Sequence, residues 1–279
     1  MLLLLLAAGL SAGPRTWAHG DMHEQILNAT KEVEKNPRDP ELYLKRAELE
    51  RHHREWDAAH ADLARAEALT NQWPILHLAR ARLFLDAEWF ESTKLAADRF
   101  LIHEPNNAEA YAIRARARMK LGERLAAAQD FSRAITNTAR PAPELYLERA
   151  QAQVAEGGAH LAEALQGLEQ GMAVLGPLVT LQSLAINVEV QQNRVDAALA
   201  RIDKVMAQFP RKETWLARRG EILQQSGRNK EAAEAFQSAL TALDTLPAGR
   251  RNVPAMVDLE KRIRTSLAST GQPASVPAP

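Results

Sequence analysis

The chain has 279 residues; apolar types make up 46% and aromatics only 5%, and 35 basic residues balance 35 acidic ones. That balance leaves no global basic field to draw the protein to nucleic acid or anionic lipid. The absence of cysteine excludes disulfides, thiolate metal sites and a cysteine nucleophile, and the alanine-rich, aromatic-poor composition favours closely packed helices over a β-sandwich.

Residues 1–18 read as a signal peptide. An apolar run from Leu2 to Leu10 precedes small residues, Pro14 and Thr16-Trp17-Ala18. Small residues at the last and third-last places before a cut suit a signal peptidase, so a cut after Ala18 is expected. The protein would then be exported, and periplasmic if its source is bacterial. Nothing basic precedes the leucines; a chance apolar N-terminus or a misplaced start is the alternative. A bilayer span needs about 20 apolar residues, so the mature chain is expected to carry no integral membrane segment. Residues 19–39 then hold one amphipathic helix, with Ile26, Leu27, Ala29 and Val33 spaced for a single face. It is expected to cap the helices next to it in the chain.

Residues 40–246 repeat. Pro40-Glu41-Leu42-Tyr43-Leu44-Lys45-Arg46-Ala47 and Pro143-Glu144-Leu145-Tyr146-Leu147-Glu148-Arg149-Ala150 differ only at Lys45 and Glu148, 103 residues apart. Arg46 recurs as Arg80, Arg114, Arg149 and Arg219, with Ala185 in the fifth copy, at intervals of 34, 34, 35, 36 and 34. The next residue is small in most copies: Ala47, Ala81, Ala115, Ala150, Ile186 and Gly220. Further columns are Ala59, Thr93, Ala127, Ala164, Ala198 and Ala232; Leu63, Ala97, Phe131, Leu168, Ile202 and Phe236; and Ala66, Phe100, Ala134, Gly171, Val205 and Ala239. Six units start near 40, 74, 108, 143, 179 and 213.

Within each half of a unit the apolar positions recur at three and four residues, one face of an α-helix. Gly122 and Gly227 fall between halves, where a chain leaving a helix needs positive φ. Pro74, Pro105, Pro141, Pro177, Pro210 and Pro247 punctuate the junctions, since proline cannot continue a helix. One 34-residue unit cannot bury its own apolar face; stacked units share a continuous core. Residues 247–268 form a second capping helix through Met256, Leu259, Ile263 and Leu267, and residues 269–279, rich in Pro, Ala and Ser, read as a disordered tail.

These columns resemble the tetratricopeptide repeat family. The third copy carries the pattern most fully, with Ala108-Glu109-Ala110-Tyr111, Ala115, Leu121-Gly122, Ala127, Phe131 and Ala134. The fourth copy departs by extra residues around Gly157-Gly158-Ala159-His160, and the fifth has Gln182, Ala185 and Ile186 where others have aromatic, Arg and small residues. The resemblance implies an all-α fold, an α-solenoid coiled as a right-handed superhelix, and binding of a protein or peptide on a concave face lined by the first helix of each unit. The residues so placed are Leu44, Leu78, Ala112 and Leu147, with Glu48, Arg82, Arg116, Gln151 and Asn187 one turn on and Met119 continuing the surface. The family's chaperone-binding members hold a C-terminal carboxylate in a Lys/Asn clamp; only Asn187 matches such a column here, without the lysines, which argues against a chaperone-tail receptor.

No nucleophile elbow, phosphate-cradling loop, zinc helix motif or Ca²⁺ loop occurs, so an enzyme and a cofactor are not expected. Two clusters carry alternatives. His19 and His23, near Asp21 and Glu24, would supply imidazoles and a free amine to Cu²⁺ or Zn²⁺ in a chain beginning at His19; the other reading is a solvated leader. The arginine column reads either as a ladder for acidic peptides or as packed guanidiniums paired locally, Asp62 and Asp130 standing at equivalent places in the second helices. The packed reading is preferred.

Overall fold

A computed structural model describes residues 15–70 and 72–271, with side chains from residue 22 onward. The chain is built of helices: α1 (Arg15–Lys35), α2 (Pro40–His52), α3 (Trp56–Ala68), α4 (Ile75–Asp86), α5 (Phe90–His103), α6 (Ala108–Lys120), α7 (Arg124–Thr136), α8 (Pro143–Glu156), α9 (His160–Leu175), α10 (Val179–Gln191), α11 (Val195–Gln208), α12 (Glu213–Gln225), α13 (Asn229–Asp244), α14 (Ala248–Arg251) and α15 (Pro254–Thr270). No strand occurs among the described residues. Residues 1–141 and 142–279 form two units; the described part of the first holds α1–α7 and that of the second α8–α15. In each, successive helices pack in pairs, and the six pairs begin within a residue of the expected starts.

Local chemistry starts these helices. Asp39 accepts a hydrogen bond from Glu41 N at 3.0 Å ahead of Pro40, and Asn107 accepts one from Ala110 N at 2.9 Å. Each satisfies a donor the first helical turn leaves unpaired. Between the helices of a pair the turn is the same almost everywhere. The residue eight places after the arginine column has positive φ in all six copies: Arg54 (65°), Glu88 (61°), Gly122 (80°), Gly157 (75°), Asn193 (57°) and Gly227 (77°). In five of them the following amide reaches back to a carbonyl five residues earlier: Glu55 to Glu50, Trp89 to Phe84, Glu123 to Arg118, Arg194 to Glu189 and Arg228 to Leu223, at 2.7–2.9 Å. This closing bond takes up a carbonyl orphaned at the helix end. The fourth copy lacks it; its inserted residues place a second left-handed residue, Gly158 (φ 56°), in the turn.

The core follows the columns. Every residue of the four small and apolar columns is buried, the alanines letting paired helices approach and Leu63, Phe131, Leu168, Ile202 and Phe236 filling the space opposite. Gly220 has a steric reason: a methyl there would stand 2.5 Å from Phe236 Cε1. Both caps form. On α1, Ile26, Ala29 and Val33 are buried, but Leu27, expected on the same face, is 49% exposed; it lies about 100° around the helix from Ile26. On α15, Leu259 and Ile263 are buried and Met256 and Leu267 pack against the same cluster. This helix runs to Thr270, two residues past its expected end, and Thr270 Oγ1 bonds Leu267 O at 2.6 Å. Residues 1–14 and 272–279, most of the expected signal peptide and tail, lie outside the described residues.

Positive φ costs an L-residue about 1 kcal/mol relative to glycine. Glu88→Gly is therefore expected to raise unfolding stability by up to about 1 kcal/mol and Gly122→Ala to lower it by about as much, measured by urea denaturation.

Candidate functional site

The arginine column lies in the helix seams and bonds local partners there. Arg46 on α2 bonds both oxygens of Asp62 on α3, at 2.6 and 2.7 Å, and Thr30 Oγ1 on α1 at 3.2 Å. Arg114 on α6 does the same with Asp130 on α7, at 2.8 and 2.6 Å, and bonds Asp98 on α5 at 2.5 Å. Arg80 takes both oxygens of Glu67 on α3, at 2.8 and 2.7 Å. In the second unit Arg219 bonds Asp203 at 2.8 Å. Three of the arginines also sit over a tyrosine one turn earlier: Arg46 over Tyr43, Arg114 over Tyr111 and Arg149 over Tyr146, at 5.3–5.8 Å from the ring centres. The guanidinium thus bonds its own second helix, the preceding repeat's second helix, or both. At Arg114 burial works against the charge, but Asp130 and Asp98 outweigh it and raise the pKa.

The two irregular copies rework this clamp. In the fourth, Gly167 occupies the place of Asp62 and Asp130, and Arg149 bonds Gly167 O and Gln170 Oε1, both at 3.1 Å. Burial without a carboxylate lowers its pKa. In the fifth the charges trade places. Ala185 fills the arginine column, and Arg201 stands 16 residues on, where Asp62 and Asp130 stand in theirs. Arg201 bonds buried Glu189 at 3.0 and 2.8 Å, Gln182 at 3.2 Å, and Glu169 of the preceding repeat at 2.5 Å. The sequence held the signal for this exchange, but it is visible only with the copies in register.

One carboxylate near the clamp is left over. Glu50 is 6% exposed, its Oε1 lies 3.7 Å from Arg46 Nε, and its Oε2 has no hydrogen-bond partner. Asp62 has already taken the guanidinium's edge. Burial, then the charge on Asp62, pushes the Glu50 pKa up to about 7, against the pull of Arg46.

The residues expected to line a groove fall into both units. In the first, Glu48 on α2 accepts from Arg82 on α4 at 3.3 Å, and Arg82 bonds both oxygens of Glu109 on α6 at 2.6 and 2.7 Å. Beside this ladder Arg51 bonds Glu48 at 2.9 Å and also pairs with Asp86. Three consecutive first helices are thereby tied together. Glu109 holds the Arg82 pKa up and Arg82 holds that of Glu109 down. Leu44, Arg116 and Met119 are half-buried, whereas Leu78 and Ala112 are buried. In the second unit Leu147 is half-buried, Gln151 and Asn187 are exposed, and Asn187 Oδ1 accepts from Arg218 on α12 at 2.8 Å. The ladder partners Arg51, Asp86 and Glu109 were not foreseen, since their pairing depends on how neighbouring repeats stack.

Of the histidine pair, the side chain of His19 is outside the described residues, and the exposed His23 has its ring 6.4 Å from that of His53. Among the described residues no three metal-binding side chains converge, and no helix is long and apolar enough to cross a membrane.

Paired helices at a 34–36-residue spacing, with small residues in the seams, define an α-solenoid. Residues 184–247, most of the fifth copy and the sixth, match the tetratricopeptide repeat family model, and the other copies carry the same columns in register. The fold of the chain is similar to the C-terminal part of a TPR repeat-containing protein from Cytophaga hutchinsonii, at 14% identity and a TM-score of 0.67, covering 87% of this chain and 96% of that one. A tetratricopeptide repeat protein from Parabacteroides merdae matches at 17% identity and TM-score 0.54, over 89% of this chain and 94% of that one. MamA protein matches at 16% identity and TM-score 0.53, over 64% and 96%. No curated protein sequence matches.

A carboxyl whose folded pKa is raised to about 7 from about 4.3 when unfolded loses stability as pH rises through that window and carries the full cost above it. Glu50→Gln mimics the protonated form. It is expected to stabilise the protein by roughly 1–3 kcal/mol at pH 8 and to give no gain near pH 4, measured by denaturant unfolding at both values.

Proposed function

We propose that the protein is a non-catalytic scaffold that holds a protein or an extended peptide on the concave face of its first unit. The observation that carries this is the ladder Glu48–Arg82–Glu109 with Arg51–Asp86, which fixes three neighbouring helices before any partner arrives. A surface ordered in advance loses less entropy on binding. Beside the ladder, half-buried Leu44 and Met119 offer apolar contacts and Arg116 a guanidinium, the mixture an extended segment uses. The absence of any recognisable catalytic motif in the sequence supports the non-catalytic reading, and the tetratricopeptide likeness raises the prior for binding by analogy.

Export belongs to the same proposal. The buried residues of α1 begin at Ile26, so a cut after Ala18 would remove none of the core residues described. N-terminal sequencing of the protein recovered from expressing cells should then begin at His19; a chain that keeps residues 1–18 contradicts export.

A photo-crosslinker placed at Arg116 in the full chain tests the binding face. Leu44→Glu with Met119→Glu should weaken capture of the crosslinked partner about tenfold or more, a loss of about 1.4 kcal/mol, while the helical signal and melting temperature stay near those of the parent. Undiminished capture by the folded variant would rule out this face.

A further inference from the structure

A cleft in the first unit is lined by groups that neither the ladder nor the clamp uses. It lies where the end of α3, the start of α4 and the last residue of α5 meet, and its walls include Thr70, Trp73, Pro74, Leu76, His77 and His103. Its volume is about 190 Å³. An apolar cavity of about 150 Å³ holds benzene, so this cleft suits a ligand with a single ring.

His77 supplies the hydrogen-bonding group. Its side chain is half-buried; Nδ1 is buried without a hydrogen-bond partner, and Nε2, which is not buried, bonds nothing among the described residues. A neutral imidazole carries one proton. A buried N–H left without a partner is tolerated less often than a bare acceptor, so the proton belongs on Nε2. Burial, then the charge on Arg80, holds the pKa of the ring below the usual histidine value, which makes it an uncharged donor at neutral pH. Thr70 cannot take that part, because its hydroxyl donates to Ala66 O at 3.2 Å.

The field around His77 favours an anion. Glu67 on α3 is the carboxylate that acts on it, and Arg80 bonds both oxygens of Glu67 at 2.8 and 2.7 Å. Arg99 on α5 acts on Glu67 and on His77 alike, and His103 adds to the same side. Two guanidiniums therefore face one carboxylate, and the first turn of α4 adds no acidic residue. A cleft biased to one sign of charge, with low-dielectric walls, gathers the opposite ion. Those walls are present: Leu76 is buried and Trp73 and Pro74 are half-buried, and an indole face suits a second ring.

We propose that this cleft is a binding site for a small aromatic carboxylate. One carboxylate oxygen accepts from His77 Nε2, the charge of Arg99 steadies the anion, and the ring lies against Trp73 and Leu76. The site is distinct from the concave face and does not depend on that reading.

Isothermal titration of the full chain with sodium benzoate at low salt tests it. Benzoate should bind one-to-one. It should bind at least about tenfold more tightly than benzamide, which keeps the ring and loses the charge, and than inorganic phosphate, which keeps a charge and loses the ring. His77→Phe leaves a ring in the wall and removes the donor, and should weaken benzoate about tenfold or more. Arg99→Ser, at an exposed position, should weaken it severalfold and flatten its salt dependence. A circular dichroism melt checks each variant; should His77→Phe fail to fold, Arg99→Ser and the two control ligands still decide. Leu44→Glu with Met119→Glu should leave benzoate binding unchanged. No saturable binding of benzoate, benzamide or phosphate bound as tightly, affinity indifferent to the folded His77 and Arg99 variants, or loss of binding in the folded Leu44 and Met119 variant would overturn the proposal.

Discussion

A guanidinium buried where helices meet must be given carboxylates or carbonyls there, because an unpaired charge in a desolvated seam is far more costly than the pair. That constraint organises this protein. Arg46 and Arg114 each bond the second helix of their own repeat, and Arg114 also reaches the repeat before. Each such arginine fixes how two or three helices lie together, and the alanine and glycine seams let them close to that distance. Where the carboxylate is missing the surroundings of the arginine position change. The fourth copy substitutes a carbonyl and an amide for the carboxylate, and the fifth moves the arginine to the other helix and places Glu189 opposite it.

The same constraint decides what remains for binding. The arginine column first suggests a receptor for acidic ligands, yet its hydrogen bonds are spent inside the fold. On the first helices Glu48, Arg82 and Glu109 bond along a ladder that also takes in Arg51 and Asp86, so that surface is ordered.

Much of the fold was legible in the sequence because periodic burial leaves a periodic record. The small and apolar columns, the prolines at the junctions, and the pairing of Arg46 with Asp62 and of Arg114 with Asp130 all follow from register. The turn was half legible. Gly122 and Gly227 announce positive φ, but Arg54, Glu88 and Asn193 adopt it without glycine, because the closing hydrogen bond of the turn outweighs a local preference of about 1 kcal/mol. The site was less legible. Ion pairs between first helices join residues 27 to 35 apart, and which of them meet depends on the rotation between repeats, which no single copy encodes. Leu78 and Ala112 share a helical phase with Leu44, yet are buried where it is half-buried.

The clamp is a structural pair, and a double-mutant cycle on Arg114 and Asp130 measures that directly by urea unfolding. Asp130→Leu alone leaves Arg114 only Asp98 and takes a carboxylate from Arg118 as well, and should cost about 3–5 kcal/mol, whereas adding Arg114→Met should restore part of the loss. If Asp130→Leu left stability untouched, or the double variant lost the sum of the two single changes, the arginine column would not be what holds the repeats in register.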